Sequence, residues 1–343
     1  MGKTKVSNIL QYLLFLGIGI GLIWYSSKDL SPEQIAQLKL SFTHTRFLYM
    51  LPVVVALLLA HYSRTLRWKL VMQPLGYNPS TTNTFLAVMI GYFFNLLVPR
   101  LGEVMKCTVL AKYEKLAPDK LVGTIVAERA VDMVCLISVI LAMMATQYDV
   151  MGAYTIDLLK QLVQQKGGGG INWLKLALIL AVAVGAIWLL RYAFAHYANK
   201  GILLKVKNIG KSVWQGLTSI GKLSRPWAFL AHTLFIWIMY LASIWLGFKA
   251  FPAVAQLGIN PAVSILGFGS LGMIATQGGI GAYQFAVQKT LLLYAVPAVT
   301  GLAFGWVLWG AQTVFTLVTG LICLLLLPIY NRKKHAQQPS HSR

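Results

Sequence analysis

Residues 95–132 read NLLVPRLGEVMKCTVLAKYEKLAPDKLVGTIVAERAVD. A Pro-x-x-Gly break places Arg100 and Glu103 inside apolar sequence, and the next apolar run carries Glu128, Arg129 and Asp132. Ionisable groups within membrane segments are costly and mark a route or a site where they occur. The break matters as much as the charges: non-helical backbone at membrane depth is tolerated only where protein or a wet cavity surrounds it.

Upstream, residues 84–98 are apolar but short, roughly 22 Å of helix against a hydrocarbon core of about 30 Å. The helical pattern resumes at 101–111, so residues 84–113 predict a re-entrant hairpin. The far half repeats the device. Residues 261–276 form a second short apolar run, broken at Gln277-Gly278-Gly279-Ile280-Gly281 and resumed at 282–295, which predicts a second hairpin over 261–295. Full spans are expected at 8–25, 47–66, 121–148, 171–194, 226–251 and 300–328. Ser31-Pro32-Glu33-Gln34 has the pattern of a capping box with proline in the first helical position, opening a short interfacial helix. At residues 200–222 apolar positions recur every three or four among lysines, the mark of a basic amphipathic helix lying in the interface. The four glycines at 167–170 predict a flexible loop, and no Lys-Ser/Thr pair follows them to make a phosphate loop. The expectation is an all-α polytopic membrane protein of one domain over 1–330, with six full transmembrane helices, two oppositely oriented hairpins and a disordered cytoplasmic tail at 331–343.

Composition supports this class. Of 343 residues, 57% are hydrophobic and 11% charged, with a mean hydropathy of +0.66. Thirty Lys and Arg oppose nine Asp and Glu, a net charge of +21. The basic residues fall between apolar runs, which points to an anionic leaflet and not to nucleic acid as partner. With six spans and two hairpins, 21 Lys and Arg fall on one side and seven on the other, which sets both termini in the cytoplasm. The first hairpin then enters from the cytoplasm and the second from outside, as in inverted-repeat transporters. Three separated cysteines and six histidines without ligand spacing imply no disulfide, metal or cofactor.

The candidate site residues admit two readings. Glu128 and Asp132 share a helix face, and Arg129 is three residues from Asp132. They could form an internal ion pair tying this span to the first hairpin, for instance through Arg100. Alternatively, Arg100 and Arg129 could face a polar cavity and grip a lipid phosphate, which guanidinium matches in a bidentate manner. Glu103 could cap the resumed half-helix or carry protons. Arg64 and Arg67 are expected at the interface, snorkelling to phosphates. The run from Gly278 to Gly281 could serve close packing, or its backbone N–H groups with Gln284 and Gln288 could bind an anion.

On Arg64 with Arg67-Trp68, on residues 95–103, on Glu128-Arg129-x-x-Asp132 and on Gly278-Gly279-Ile280-Gly281, the chain resembles the lysylphosphatidylglycerol synthase transmembrane-region family, flippase-like proteins also grouped as uncharacterised protein family 0104. The resemblance implies an integral membrane protein that handles lipids. Family members often have Pro before the paired glycines and Glu three residues after the last; this chain has Gln277 and Gln284 there. The resemblance does not extend to the soluble aminoacyl-transferase domain of full-length synthases, so lysyl transfer is not expected. The function expected is a flippase of a bacterial-type cytoplasmic membrane, with an anionic phospholipid or polyprenyl-phosphate conjugate as partner, no catalytic residues, and an oligomeric state left open. Alternatives are a membrane-embedded transferase using a lipid-linked donor, or a non-catalytic accessory subunit.

Overall fold

Ser31 opens its helix as its sequence predicts: its hydroxyl accepts from the Gln34 amide at 3.3 Å, and the Gln34 side chain accepts from the Ser31 amide at 3.0 Å. The computed structural model that contains it describes residues 16–28, 30–98, 101–150, 164–165, 168–171 and 223–336. In chain order these hold α1 (Leu16–Ser27), α2 (Pro32–Thr43), α3 (Met50–Met72), α4 (Thr81–Leu97), α5 (Leu101–Glu114) and α6 (Pro118–Thr146). After a short antiparallel ribbon of Gln164–Gln165 with Gly168–Ile171, where a loop was expected, come α7 (Pro226–Ala250), α8 (Ile259–Ala275), α9 (Ala282–Leu292) and α10 (Ala298–Ala336). The expected span at 171–194, the interfacial helix at 200–222 and the first part of the span at 8–25 lie outside the described residues.

Three helical segments, Phe47–Leu75, Pro226–Ala250 and Ala298–Arg332, are long and apolar enough to cross a membrane. At 29 residues α6 has the length, but it carries Glu128, Arg129 and Asp132. Leu48, Trp227, Leu234 and Ile274 point large apolar side chains outward, each more than 60% exposed, as befits a chain whose solvent is lipid. This is a multi-pass helical membrane protein.

Both short apolar runs fold into helical hairpins. In the first, α4 and α5 lie so close that a Cβ on Gly102 would sit 1.8 Å from the Gly91 carbonyl. Near the turn the Gly102 amide donates to the Asn95 side chain at 2.9 Å, and at the open end Asn83 donates to Glu114. In the second, a Cβ on Gly272 would meet the Ala282 carbonyl at 2.8 Å. Gly278 and Gly281 turn the chain with φ of +60° and +76°, a region that favours glycine.

Helix α10 is the ruler against which both hairpins are measured. Near its start Gln288 of α9 donates to the Ala298 carbonyl at 3.3 Å. Further along, the Trp309 indole donates to the Gly278 carbonyl at 2.7 Å. Near its end Asn331 and Asn83 exchange amide hydrogen bonds of 2.9 and 3.0 Å. The hairpins therefore open at opposite ends of α10, and their tips meet partway along it, where the Gln277 amide donates to the Asn95 and Leu96 carbonyls. The expectation of a disordered tail from 331 is corrected by the same contacts: α10 runs through Pro328 to Ala336, and Asn331 is buried against Asn83. Residues 337–343 lie outside the described residues.

Candidate functional site

Two pairs of charges at helical spacing face each other across α3 and α6. Arg64 and Arg67 are three apart on α3, and Glu128 and Asp132 four apart on α6, so each pair shares a face. Asp132 receives Arg64 at 2.6 Å and Arg67 at 2.8 Å, while Glu128 receives Lys106 of α5 at 2.9 Å and Arg67 at 3.5 Å. Neighbours complete the setting. The Arg67 guanidinium lies 5.5 Å from the Phe229 ring centroid, the Lys106 ammonium sits 3.7 Å over Trp68, and Arg64 donates to the Tyr240 hydroxyl at 3.3 Å. Charges at this depth persist only when paired. Three cations against two carboxylates leave one positive charge over. The Nε atoms of Arg64 and Arg67 find no acceptor among the described residues.

Arg129 points elsewhere on α6. Its Nε donates to Glu103 of α5 at 3.0 Å, and both side chains are part exposed, at 49% and 37%. A small pocket of about 20 Å³, on the scale of a single water, touches Arg64, Lys106, Glu128, Arg129 and Glu103. It shares Tyr92, Asn95 and Glu103 with a far larger cavity of about 910 Å³. That cavity lies where the hairpin tips meet, bounded by Leu96, Gln277 and Gly278 from the tips, Tyr240 from α7, and Trp309 and Gln312 from α10.

These placements revise several sequence expectations. Arg64 and Arg67 are not at the interface: their side chains are 8% and 0% exposed, because Asp132 and Glu128 draw them inward across the α3–α6 seam. Arg100 lies outside the described residues, and the internal partners of Glu128 and Asp132 are Arg64, Arg67 and Lys106. The glycine run divides by role. Gly278 lines the large cavity, whereas Gly279 packs on Met273 and Tyr283, and Gly281 packs on Gly19 of α1. Gln284 does not join them: it is 1% exposed behind the hairpin, its backbone against Gly305 and its amide without a partner among the described residues. The second hairpin thus brings no anion-binding set of Gly279, Gly281 and Gln284 to the cavity.

Lys106 went unnoticed in the sequence although it sits three residues beyond Glu103, the spacing that puts both on one side of α5. His61, Tyr92, Asn95, Tyr240 and Gln312 carry no signal of their own in an apolar chain; only the fold gathers them. Among the described residues no three His, Cys, Asp or Glu side chains are grouped to hold a metal ion.

A family model described as "Lysylphosphatidylglycerol synthase TM region" matches residues 9–320. Over 137 residues the chain is 27% identical to "UPF0104 membrane protein MJ1595" of Methanocaldococcus jannaschii, a stretch covering 38% of this chain and 36% of that protein. The match thus spans little more than a third of the relative's length. No solved structure matches.

Proposed function

Given that the chain belongs to the lysylphosphatidylglycerol synthase transmembrane-region family, a membrane family with a lipid-related role, we propose that it is a transporter. It moves an anionic, phosphate-bearing lipid headgroup across the cytoplasmic membrane through the cavity at the hairpin tips. The observation that carries this reading is the meeting of two opposed hairpins beside a cavity of about 910 Å³, partway along a continuous helix. In the membrane both are re-entrant, so each separates the cavity from one face of the bilayer.

The residues divide the work. The buried cluster braces α3 against α6 and leaves one positive charge beside the route, which favours an anion over a cation. Arg129, the part-exposed guanidinium, exchanges Glu103 for the phosphate as it arrives, replacing one charge-assisted hydrogen bond with another. Glu103, released, is free to take a proton. The lipid tails stay in the bilayer while the headgroup crosses. Movement is downhill or coupled to an ion gradient. Without the three buried cations Arg64, Arg67 and Lys106, the 21 cytoplasmic Lys and Arg become 18 against seven, still the bias that sets both termini inside.

Reconstitution in liposomes with a fluorescent short-chain phosphatidylglycerol, scored by quenching of the outer leaflet, tests this. Arg129→Ala should slow exchange by about tenfold or more, since a hydrogen bond to a charged group contributes roughly 1.5–3 kcal/mol. Wild-type exchange by that variant, or none above empty liposomes by the native chain, would end the proposal.

A further inference from the structure

The large cavity differs in chemistry from the ion cluster beside it. Eight described hydroxyls line it, and four of them have already given their proton to a backbone carbonyl: Ser243 to Tyr240 at 2.7 Å, Ser270 to Leu266, Thr276 to Ile280 at 2.8 Å and Thr316 to Gln312 at 2.8 Å. A hydroxyl whose proton is committed can only accept. His61 adds a buried Nδ1 with no partner among the described residues, its ring stacked on Phe315 at 5.9 Å. Gln312 contributes an amide, Thr313 and the phenols of Tyr92, Tyr240 and Tyr283 contribute the other hydroxyls, and Trp309 contributes a ring. The described lining therefore combines fixed acceptors, further hydroxyls and amides that both donate and accept, and apolar contact, and its volume of about 910 Å³ is far more than a bare phosphate needs.

Charge narrows the choice of occupant. Among the described residues no Lys or Arg lines this cavity, and its one carboxylate is Glu103, which Arg129 holds at 3.0 Å. An amine could donate into the same oxygens, but it would bring a charge into a site whose one described carboxylate is held by Arg129 or, once the phosphate has displaced it, takes a proton, and burying such a charge unpaired is costly. Uncharged O–H donors meet the same acceptors without that cost. Resting on the transport reading above, we infer that the cavity selects a lipid whose phosphate carries an uncharged, hydroxyl-rich outer group over one whose outer group carries an amine. A glycerol, a cyclitol or a sugar has this chemistry. The phosphate stays at the Arg129 rim while the hydroxylated part enters the cavity.

The test reads binding and not transport. The full chain, in micelles holding equal amounts of phosphatidylinositol and lysyl-phosphatidylglycerol, is analysed by native mass spectrometry for lipid adducts. Phosphatidylinositol should exceed the lysyl lipid by about tenfold, the effect of one or two satisfied hydrogen bonds. Gln312→Leu should cut that preference by about threefold to tenfold, and Thr316→Val by less. Gln312→Glu, which supplies the missing carboxylate, should raise the lysyl share. An equal or larger share of the lysyl lipid on the native chain overturns the inference, because the released Glu103 would then have stayed ionised and paired with the amine. An unchanged ratio in both Gln312→Leu and Thr316→Val overturns it as well. A phosphatidylinositol preference without exchange in liposomes sinks the transport reading alone and leaves headgroup selection standing.

Discussion

The two hairpins have one shape and opposite chemistries. The first carries Glu103 and Lys106 on α5, and side chains reinforce its Gly91–Gly102 contact: Asn95 near its turn, and Asn83 with Glu114 at its open end. The second has no ionisable side chain before Lys289, apart from the phenol of Tyr283, and is closed by glycine, with Gly272 against Ala282 and positive φ at Gly278, Gly279 and Gly281. Glycine brings the helices of both hairpins together, but only one half of the molecule supplies the charge. The lesson is that fold symmetry need not be site symmetry: the hairpins oppose each other across α10, while every described ion pair lies on the α3, α5 and α6 side.

Asp132→Ala should break the charged side most severely. It leaves Arg64 and Arg67 buried with one shared carboxylate remaining nearby, and removal of one member of a buried pair costs about 3–5 kcal/mol. Thermal unfolding in detergent should show the largest drop of any single variant here, and a loss under about 1 kcal/mol would mean that water reaches the cluster.

The glycine contacts come next. Gly272→Ala in the second hairpin forces a Cβ to 2.8 Å from the Ala282 carbonyl, and overpacking of this kind costs about 1–3 kcal/mol. Gly123→Ala in α6, where nothing lies within 4 Å, should instead be neutral or stabilising by up to about 1 kcal/mol. If the two variants melt together, the close approach is not what shapes the second hairpin.

Where the hairpins join, Gln277→Leu removes the amide that bonds Asn95 and Leu96, and should cost about 0.5–1.5 kcal/mol. Its effect on lipid exchange in liposomes should exceed its effect on melting, because it loosens the tip contact and not the core. The smallest stability effect belongs to Glu103→Gln, which loosens a part-exposed pair worth under about 1 kcal/mol. A large fall in melting temperature there would make Glu103 a brace and weaken its role as the group that Arg129 exchanges.

Much of the architecture was legible before any coordinates. Both hairpins showed themselves as apolar runs too short to span, each ended by a Pro- or Gly-containing break, and the capping box at Ser31 marked the start of α2. Arg64 and Arg67 misled, because basic residues near the end of an apolar helix look the same whether they reach for lipid phosphates or for Asp132. Asn331 misled for a similar reason: a polar residue after an apolar run looks like the start of a tail until Asn83 is brought beside it.

Sequence alone determined that the chain lives in a membrane, where the backbone must break, and which turn of α6 holds the charges; these follow from length, hydropathy and helical spacing, all local properties. Tertiary structure decided which charges neutralise one another and which remain available, and it assembled a cavity, neutral among the described residues but for Glu103, from positions scattered between Leu57 and Thr316. The reason is that pairing and enclosure depend on distances between segments far apart in the chain, and in an apolar solvent the cost of leaving a charge alone makes those distances decisive.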